Sequence, residues 1–481
     1  MTAVARRDRR AIALAACTFA ATLGVTTEAK ASGLYFSDRG VRPLGRGGAF
    51  VAGADDIGAT WYNPAGLADA GTSILLDASW LHFSAEFTRQ TNVTDAAGAV
   101  HTYTFPTVDG TSPVLPIPTL GASYNFGGKK QFTAAFSIFA PYTAITSFPS
   151  TVNGQPAPSR YSLVTLDGSL LVVPGVYFAY KPIEQIRLGV GLQMLTGTFK
   201  SSVDFSASPP DRVIAAPEDP AYDALSQLDV GPIFAPSANG GITVVPDKHI
   251  RIGISGQLPF VIDAPGHTHV RLPNAVEFDN AQQVGDDVSV HFELPAVFRA
   301  GVEVRPIDKL RIEAAFVREF WTTHHSIDVT IKDVNLVGVT GFPSPFKVSN
   351  ISIPRNYDNA NSYRLGVEYT IDVPKTNYAI DLRGGFNYDE SAVPPAYLSP
   401  LTIDMDKYTF SLGGGLHIAE HWRLDAVYAH IFTADQTVTA AEAASPQINP
   451  VKGNPTATHA VNGGTYSARA DVIGVGANYK F

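Results

Sequence analysis

From Ser73 to Phe481 the chain alternates apolar and polar residues in short segments, and the connections between those segments alternate in length. Period-2 segments fall at about 73–89, 117–127, 131–140, 160–181, 186–205, 229–246 and 249–271. Seven more follow at about 287–306, 309–331, 361–372, 377–389, 406–419, 421–436 and 465–481. This makes fourteen, an even number of the kind that single-chain bacterial barrels use. The links at 127–130, 182–185, 247–248, 307–308, 373–376 and 420 are tight. Those at 90–116, 141–159, 206–228, 272–286, 332–360, 390–405 and 437–464 are long. Short turns at one end and long loops at the other are the plan of an outer-membrane barrel, with both chain termini on the short-turn, periplasmic side. After the N-terminal segment no apolar run approaches the roughly 20 residues of a spanning helix. A chain like this crosses a membrane only as a closed barrel, which pairs every backbone polar group.

Periodicity does not say which face is wet. Leu310, Ile312, Ala314 and Phe316 oppose Arg311 and Glu313, and Tyr378, Ile380, Leu382 and Phe386 oppose Asp381, Arg383 and Asn387. A soluble sandwich would turn the apolar face inward; a membrane barrel turns it out to lipid. Three features favour the membrane. The first is the N-terminus, where Arg6, Arg7, Arg9 and Arg10 precede an apolar run from Ala11 to Val25 and then Ala29-Lys30-Ala31, the order of a cleaved secretory signal. The second is a set of strand-end aromatics, Tyr180, Trp321, Tyr388, Trp422 and Tyr479, placed as interfacial girdles. The third is the ending Val475, Ala477, Tyr479, Phe481. The fold expected is therefore all-β, a 14-stranded antiparallel transmembrane β-barrel over 73–481, with a signal peptide at 1–31 and a plug at 32–72. Leu14-Ala15-Ala16-Cys17 also fits a lipobox, although the apolar run before it is short. Once the signal is removed no cysteine remains, so the mature chain carries neither disulfide nor thiolate chemistry. The formal charge of −9 makes nucleic acid an unsuitable partner.

Ser32 to Gly71 is unlike the rest. Seven glycines lie between Gly33 and Gly58, followed by Trp61-Tyr62-Asn63-Pro64-Ala65-Gly66-Leu67. Few large side chains are present to form a core, while glycine permits close backbone approach, so the stretch reads as a partly helical hatch that needs a container. Gly45-Arg46-Gly47-Gly48-Ala49, Asp55-Asp56 and Asn63-Pro64-Ala65-Gly66-Leu67 resemble the N-terminal hatch of the FadL/TodX family, outer-membrane transporters for long-chain fatty acids and other hydrophobic compounds. Arg160-Tyr161, Arg187 to Leu192, Leu294-Pro295-Ala296, Tyr363 to Tyr369 and Tyr388-Asp389 are similar to family strands. The loops 206–228, 332–360 and 437–464 match nothing in it.

The resemblance implies passive uptake of long-chain fatty acids, or of aromatic hydrocarbons by the same mechanism. The ligand is captured at the outer loops, and a hatch blocks the aqueous route (Gly45, Gly47, Gly48, Asn63, Pro64 and Ala65). Exit is sideways through the wall. Pro141 after Ala140 ends the third segment and either kinks the wall there or simply starts the loop, since proline removes a ladder hydrogen bond. Phe139, Tyr142, Ile145 and Phe148 are apolar candidates for the ligand wall, or else strand-end aromatics facing lipid. Arg160 beside Tyr161 is the candidate for a carboxylate head group, or a rim residue that meets lipopolysaccharide phosphate. Arg187, Arg299, Arg311, Glu313, Arg364, Glu368, Asp381 and Arg383 point inward and are expected to pair across the lumen and hold the plug. Phe481 resembles the signal read by the barrel assembly machinery, and the chain is expected to sit as a monomer among outer-membrane lipid and lipopolysaccharide. No P-loop is present, and no metal or cofactor is expected. His324-His325-Ser326 as a hydrolase pair fails because neighbours on a strand diverge; His267-x-His269 after Asp263 lacks the further ligands of a closed metal site. Both are placed on the rim or in loops. A structural or adhesive barrel stays open on the strands alone.

Overall fold

The structure is a computed structural model and describes residues 38–113, 116–140, 146–208 and 218–481. The signal segment, Cys17, the first residues of the plug, Pro141, Tyr142 and Ile145 lie outside the described residues.

Fourteen antiparallel strands close into a barrel. They are β1 Ser73–Thr94, β2 Pro116–Phe126, β3 Phe132–Phe139, β4 Leu170–Ile183, β5 Ile186–Ser206 and β6 Asp223–Asp247. Next come β7 in two pieces, Ile250–Gln257 and Phe260–Arg271, β8 as Gln282–Leu294 and Ala296–Ile307, and β9 as Leu310–Phe320 and Ser326–Val337. The circle is completed by β10 Ala360–Asp372, β11 Tyr378–Asp389, β12 Lys407–Ile418, β13 Trp422–Thr433 and β14 Gly464–Lys480. Pro259 and Pro295, which have no N–H to give, sit at the interruptions of β7 and β8. Closure is the β1–β14 ladder, from Ser73 opposite Lys480 to Arg89 opposite Gly464. The tight turns and long loops alternate around the whole circle.

Lipid is on the outside. Leu412 is 70% exposed and Leu192 67%, whereas Glu303 and Glu313 on the other face are fully buried. Such a surface suits hydrocarbon and no aqueous medium. At the short-turn ends Phe126, Phe132, Phe178 and Tyr180 stack along the exterior, and Trp422, Tyr479 and Phe481 cluster where the barrel closes. Trp321 is a correction. It sits in a 3-10 turn, Trp321–Thr323, at the break in β9 and is 1% exposed, donating Nε1–H to Glu319 at 2.7 Å. Trp321 keeps the parity of the inward-facing Glu313, Val317 and Glu319, so its indole enters the lumen, and Val329 and Ile331 in the second half of β9 face inward on the same parity. The fourth segment is also shorter than its pattern: β4 begins at Leu170, and Arg160 and Tyr161 belong to the preceding loop, where Asp167-Gly168 makes a turn instead of a ladder.

Residues 38–72 lie inside the barrel. They form α1 Val41–Gly45, α2 Ala59–Tyr62 and a 3-10 turn Pro64–Asp69. The wall makes room for them with glycine: a methyl group at Gly385 would strike the Gly47 nitrogen, and one at Gly189 would strike the Pro64 carbonyl. Gly47 and Gly48 themselves have φ of 60° and 70°, the left-handed turn that lets the chain leave α1.

Phe481 is exposed, packs edge-on to Tyr479 at 4.8 Å, and donates its backbone N–H to Thr72 at 2.9 Å. Deleting Phe481 is expected to lower the assembled fraction in the outer membrane, read by heat-modifiable gel mobility. The stability of molecules that do assemble should change by no more than about 0.5 kcal/mol, as for other surface positions.

Candidate functional site

The lower lumen is ionic. Arg42 in α1 binds Glu368 (2.8 Å), Asp55 (2.6 Å) and Asp56 (3.0 Å). Arg46 binds Glu303 at 2.9 Å and Glu313 at 3.1 Å. Glu313 also accepts the backbone N–H groups of Val51 and Ala52 on Oε1 (2.6 and 2.8 Å) and of Gly53 on Oε2 (2.9 Å), so one wall carboxylate grips three consecutive amides. Arg311 joins Asp55, Glu303 and Glu368; Arg383 joins Glu368, Asp381 and Asp425; Arg187 and Arg251 hold Asp69; Arg364 pairs with Asp38. Removing one partner from such a buried pair strands the other charge, which costs about 3–5 kcal/mol. Asn63 fixes the far end of the plug: its Nδ2 donates to Val51 O (2.9 Å) and Thr243 Oγ1 (3.0 Å), while its Oδ1 accepts from Ala65 N and caps the 3-10 turn.

Above this plug, on the long-loop side, is an apolar cavity with an empty volume of about 1330 Å³ counting its open mouth. Val203, Phe205, Leu228, Val270, Ile331 and Ile353 are among its walls, which β5, β6, β7 and β9 supply together with the strand Ile351–Pro354 and the loops after β11 and β13. Arg355 is also in the wall, 2% exposed.

The candidate residues fall as follows. Arg160 is ion-paired to Asp223 at 2.7 Å, its guanidinium lies 4.1 Å over the Tyr161 ring, and Tyr161 Oη donates to the same carboxylate at 2.5 Å. Tyr161 lines the cavity; the charge of Arg160 is already met. Phe139 is fully buried with its ring 5.5 Å from that of Trp61 in the plug. Ala140 packs among Val41, Leu44, Leu81 and Ile117, and Phe148 is buried in the main apolar cluster. Gly47 donates to Ser411 Oγ at 3.1 Å, Gly45 faces Gly413, and Pro64 and Ala65 lie on Gly189.

The wall changes at the end of β3. Both of its ladders reach Phe139, opposite Thr119 on β2 and Val173 on β4. Beyond it Pro116–Pro118 pair only with β1 and Leu170–Val172 only with β5, among the described residues. Higher up, the bridges Thr111–Ser147, Ser147–Thr165 and Thr165–Ser202 join β1's neighbour to β5 again.

Of the inward arginines, Arg299 and Arg355 reach no carboxylate among the described residues. Arg299 lies 5.8 Å over Trp61, and Arg355 has only Thr402 Oγ1 at 3.4 Å, with its Nε unpartnered. Sequence reasoning missed Arg355, which sits in a loop without periodicity. His324, placed on the rim by its sequence, is instead 1% exposed in the β9 break, with Nδ1 2.8 Å from Glu293 O and Nε2 unpartnered. Ser326 Oγ donates to Asp328 at 3.0 Å. His267 lies 3.3 Å from both Asp286 and Asp287 on the exposed exterior.

A membrane barrel with an ion-paired plug below and an apolar cavity above is built as a transporter for molecules that a water-filled pore would not accept. A sequence profile of the family described as outer membrane protein transport protein (OMPP1/FadL/TodX) matches residues 22–481, and the chain belongs to that family, whose members move hydrophobic compounds across the outer membrane. No curated protein sequence matches it. Among solved structures it is similar to a Pseudomonas aeruginosa FadL homologue, with 17% identity, a TM-score of 0.69, and coverage of 93% of this chain and 100% of that one. The Ralstonia pickettii toluene transporter TbuX follows at 17% identity and TM-score 0.58, covering 92% and 99%. The P. putida toluene transporter TodX gives 13% identity and TM-score 0.59, covering 94% and 99%.

Glu313→Gln removes the charge that Arg46 requires and weakens the grip on the Val51–Gly53 amides. Hydrogen exchange at those amides is expected to quicken by a factor of about 100 or more, from about 3–5 kcal/mol of lost pairing. The β1–β14 ladder amides should keep their wild-type protection. Unchanged exchange at Val51, Ala52 and Gly53 would show that the plug does not depend on this carboxylate.

Proposed function

We propose that the protein takes up long-chain fatty acids, passively, through the apolar cavity and past the plug formed by residues 32–72. The observation that carries this reading is the cavity itself. Its walls are aliphatic and aromatic side chains drawn from β5, β6, β7 and β9 and from the loops, so they offer apolar contact over an extended surface. An acyl chain gains free energy along such a wall at roughly 25 cal/mol per Å² buried, while the paired charges below offer it nothing. The exit proposed is lateral, at Ala140-Pro141: the end of both β3 ladders at Phe139 among the described residues and the apolar packing of Ala140 and Ile117 support a path into the bilayer that avoids the ionic lumen. Phe139, Phe148 and Tyr161 would border the route, with the hatch glycines, Asn63, Pro64 and Ala65 gating it. Arg160, locked to Asp223, serves on this reading as a strut for the loops. The chain acts as a monomer, folded by the barrel assembly machinery and surrounded by lipopolysaccharide in the outer leaflet. Aromatic hydrocarbon uptake is the second reading, favoured by the toluene transporters among the structural likenesses.

Calorimetry with the purified barrel distinguishes them. A long-chain fatty acid should bind with a large negative heat-capacity change, the mark of apolar burial, and toluene should bind more weakly. Replacing Asn63 and Pro64 together is expected to lower cellular uptake with normal barrel assembly. Saturable binding of toluene alone would give the second reading, and binding of neither would reject both.

A further inference from the structure

We propose that residues 445–461, in the loop between β13 and β14, are a lid on the apolar cavity, latched through His459 to Glu218 and Arg89, and that release of the latch sets how fast a hydrophobic ligand enters. This rests on the cavity being the ligand site, whichever hydrophobe is carried. The segment is folded on itself as a narrow finger: Pro446 bridges Ala460, Gln447 N donates to His459 O at 3.0 Å, and Asn449 N donates to Pro455 O and Val461 N to Ser445 O, both at 2.9 Å. It can therefore move as one piece. Pro446, Ile448, Val451 and Val461 line the cavity, so one side of the finger is apolar wall. Val451 also belongs to one buried cluster with Tyr222, Phe278 and Val339, from the loops after β5, β7 and β9. A finger rooted beside the β1–β14 closure thus reaches loops on the far side of the barrel.

The finger is held differently at its root and along its length. At the root Asn462 is fully buried; its Nδ2 donates to Ala396 O (2.9 Å) and Leu398 O (2.8 Å), its Oδ1 accepts from Ser445 N (2.9 Å), and the next carbonyl, Gly463 O, accepts from Gln90 N of β1 (2.8 Å). This end is a fixed hinge. Along the finger the ties go to the loop after β5: Ser206 N donates to Ile448 O and Asn449 Nδ2 to Ser208 O, both at 3.0 Å, and His459 Nε2 donates to Glu218 Oε1 at 2.9 Å. Glu218 is forked in turn by the buried Arg89 of β1, Nη1 to Oε2 at 2.8 Å and Nη2 to Oε1. Burial works to raise the Glu218 carboxyl, but the hydrogen bonds from His459 and Arg89 hold it at about 2, so the clasp keeps its charge near neutrality. Breaking Arg89 from Glu218 would strand a buried charge, which is strongly unfavourable. Letting go of His459 strands none, because the imidazole is 30% exposed and water can take its place while Arg89 stays on the carboxylate. That makes His459 the releasable contact. The apolar side of the finger favours the closed state, since lifting it wets the wall.

Stopped-flow binding of a long-chain saturated acid, and separately of toluene, to the purified full-length barrel reads the entry rate. His459→Ala, which leaves the Arg89–Glu218 pair whole, should raise association and dissociation rates together by about tenfold, the worth of one hydrogen bond to a charged group, with affinity nearly unchanged. Hydrogen exchange at the Ser206 amide, which donates to the finger, should quicken by a similar factor. The amides of Val461, bonded within the finger, and of Gln90, bonded at its root, should keep their wild-type rates. The chain has one cysteine, Cys17; in a Cys17→Ala background, Ser208→Cys with Asn449→Cys offers a lock that leaves the Glu218 clasp untouched. Reduced, this pair should bind at least as fast as wild type; joined by a short thiol cross-linker, it should bind at least about tenfold more slowly. A linked barrel that binds at the wild-type rate would overturn the lid, as would H459A with unchanged ligand rates and unchanged Ser206 exchange. Quicker exchange at Val461 in H459A would also overturn it, since the loop would be unravelling and not swinging. Wild type that binds neither ligand would overturn the carrier reading, and the Ser206 exchange would then decide the latch by itself.

Discussion

Everything in the lumen depends on one exchange of charge between Arg46, Glu303 and Glu313. Lipid on the outer face turns the ionisable residues of the lower wall inward, and there is too little water in a plugged lumen to solvate them singly. The plug solves the problem for the wall, and the wall for the plug. Arg42 and Arg46 neutralise Glu368, Glu303 and Glu313, while Glu313 closes on the amides of Val51, Ala52 and Gly53, which a glycine-rich stretch leaves without secondary structure of its own. Neither part would be stable without the other in this arrangement.

The consequence for transport is a division of the interior. Below, every path meets paired charges, and an acyl chain moving through them would displace ion pairs and return nothing. Above, aliphatic side chains from several strands and loops make a cavity whose described lining carries one charged side chain, Arg355. Between the two, Trp61 of the plug touches Phe139, the last residue of β3 and the last in its ladders among the described residues. The aromatic contact thus couples the plug's position to the end of β3, a geometry in which a shift of the plug would be felt at the wall.

Arg160 and Arg355 show how little a residue type says without its neighbours. Arg160 stands beside Tyr161, in a phrase similar to family strands, and in the fold that pair is turned on Asp223. Arg355 stands in a loop without a periodic pattern, and its guanidinium meets no carboxylate among the described residues. The difference lies in where Asp223 lands relative to the two loops, some 60 and 130 residues away along the chain, which the sequence does not encode locally.

What the sequence determined by itself was whatever repeats at short range. A side-chain period of two fixes which residues share a face, as at Leu310–Glu313 and Tyr378–Arg383, and turn lengths fix the antiparallel order, so the fourteen strands were legible; the signal-like N-terminus and the strand-end aromatics chose the lipid-facing side. The hatch was legible because a run of glycines with no apolar pattern has to be contained. Tertiary structure decided the rest. The 3-10 turn after Phe320 interrupted β9 and buried Trp321 and His324, although Trp321 read as an interfacial aromatic and His324 as a rim or loop residue. The lumen-facing glycines Gly189 and Gly385 look like weak strand positions until Pro64 and Gly47 are seen against them. The cavity, finally, is made of residues from strands and loops more than two hundred positions apart, and only closure of the sheet brings their side chains around one empty space.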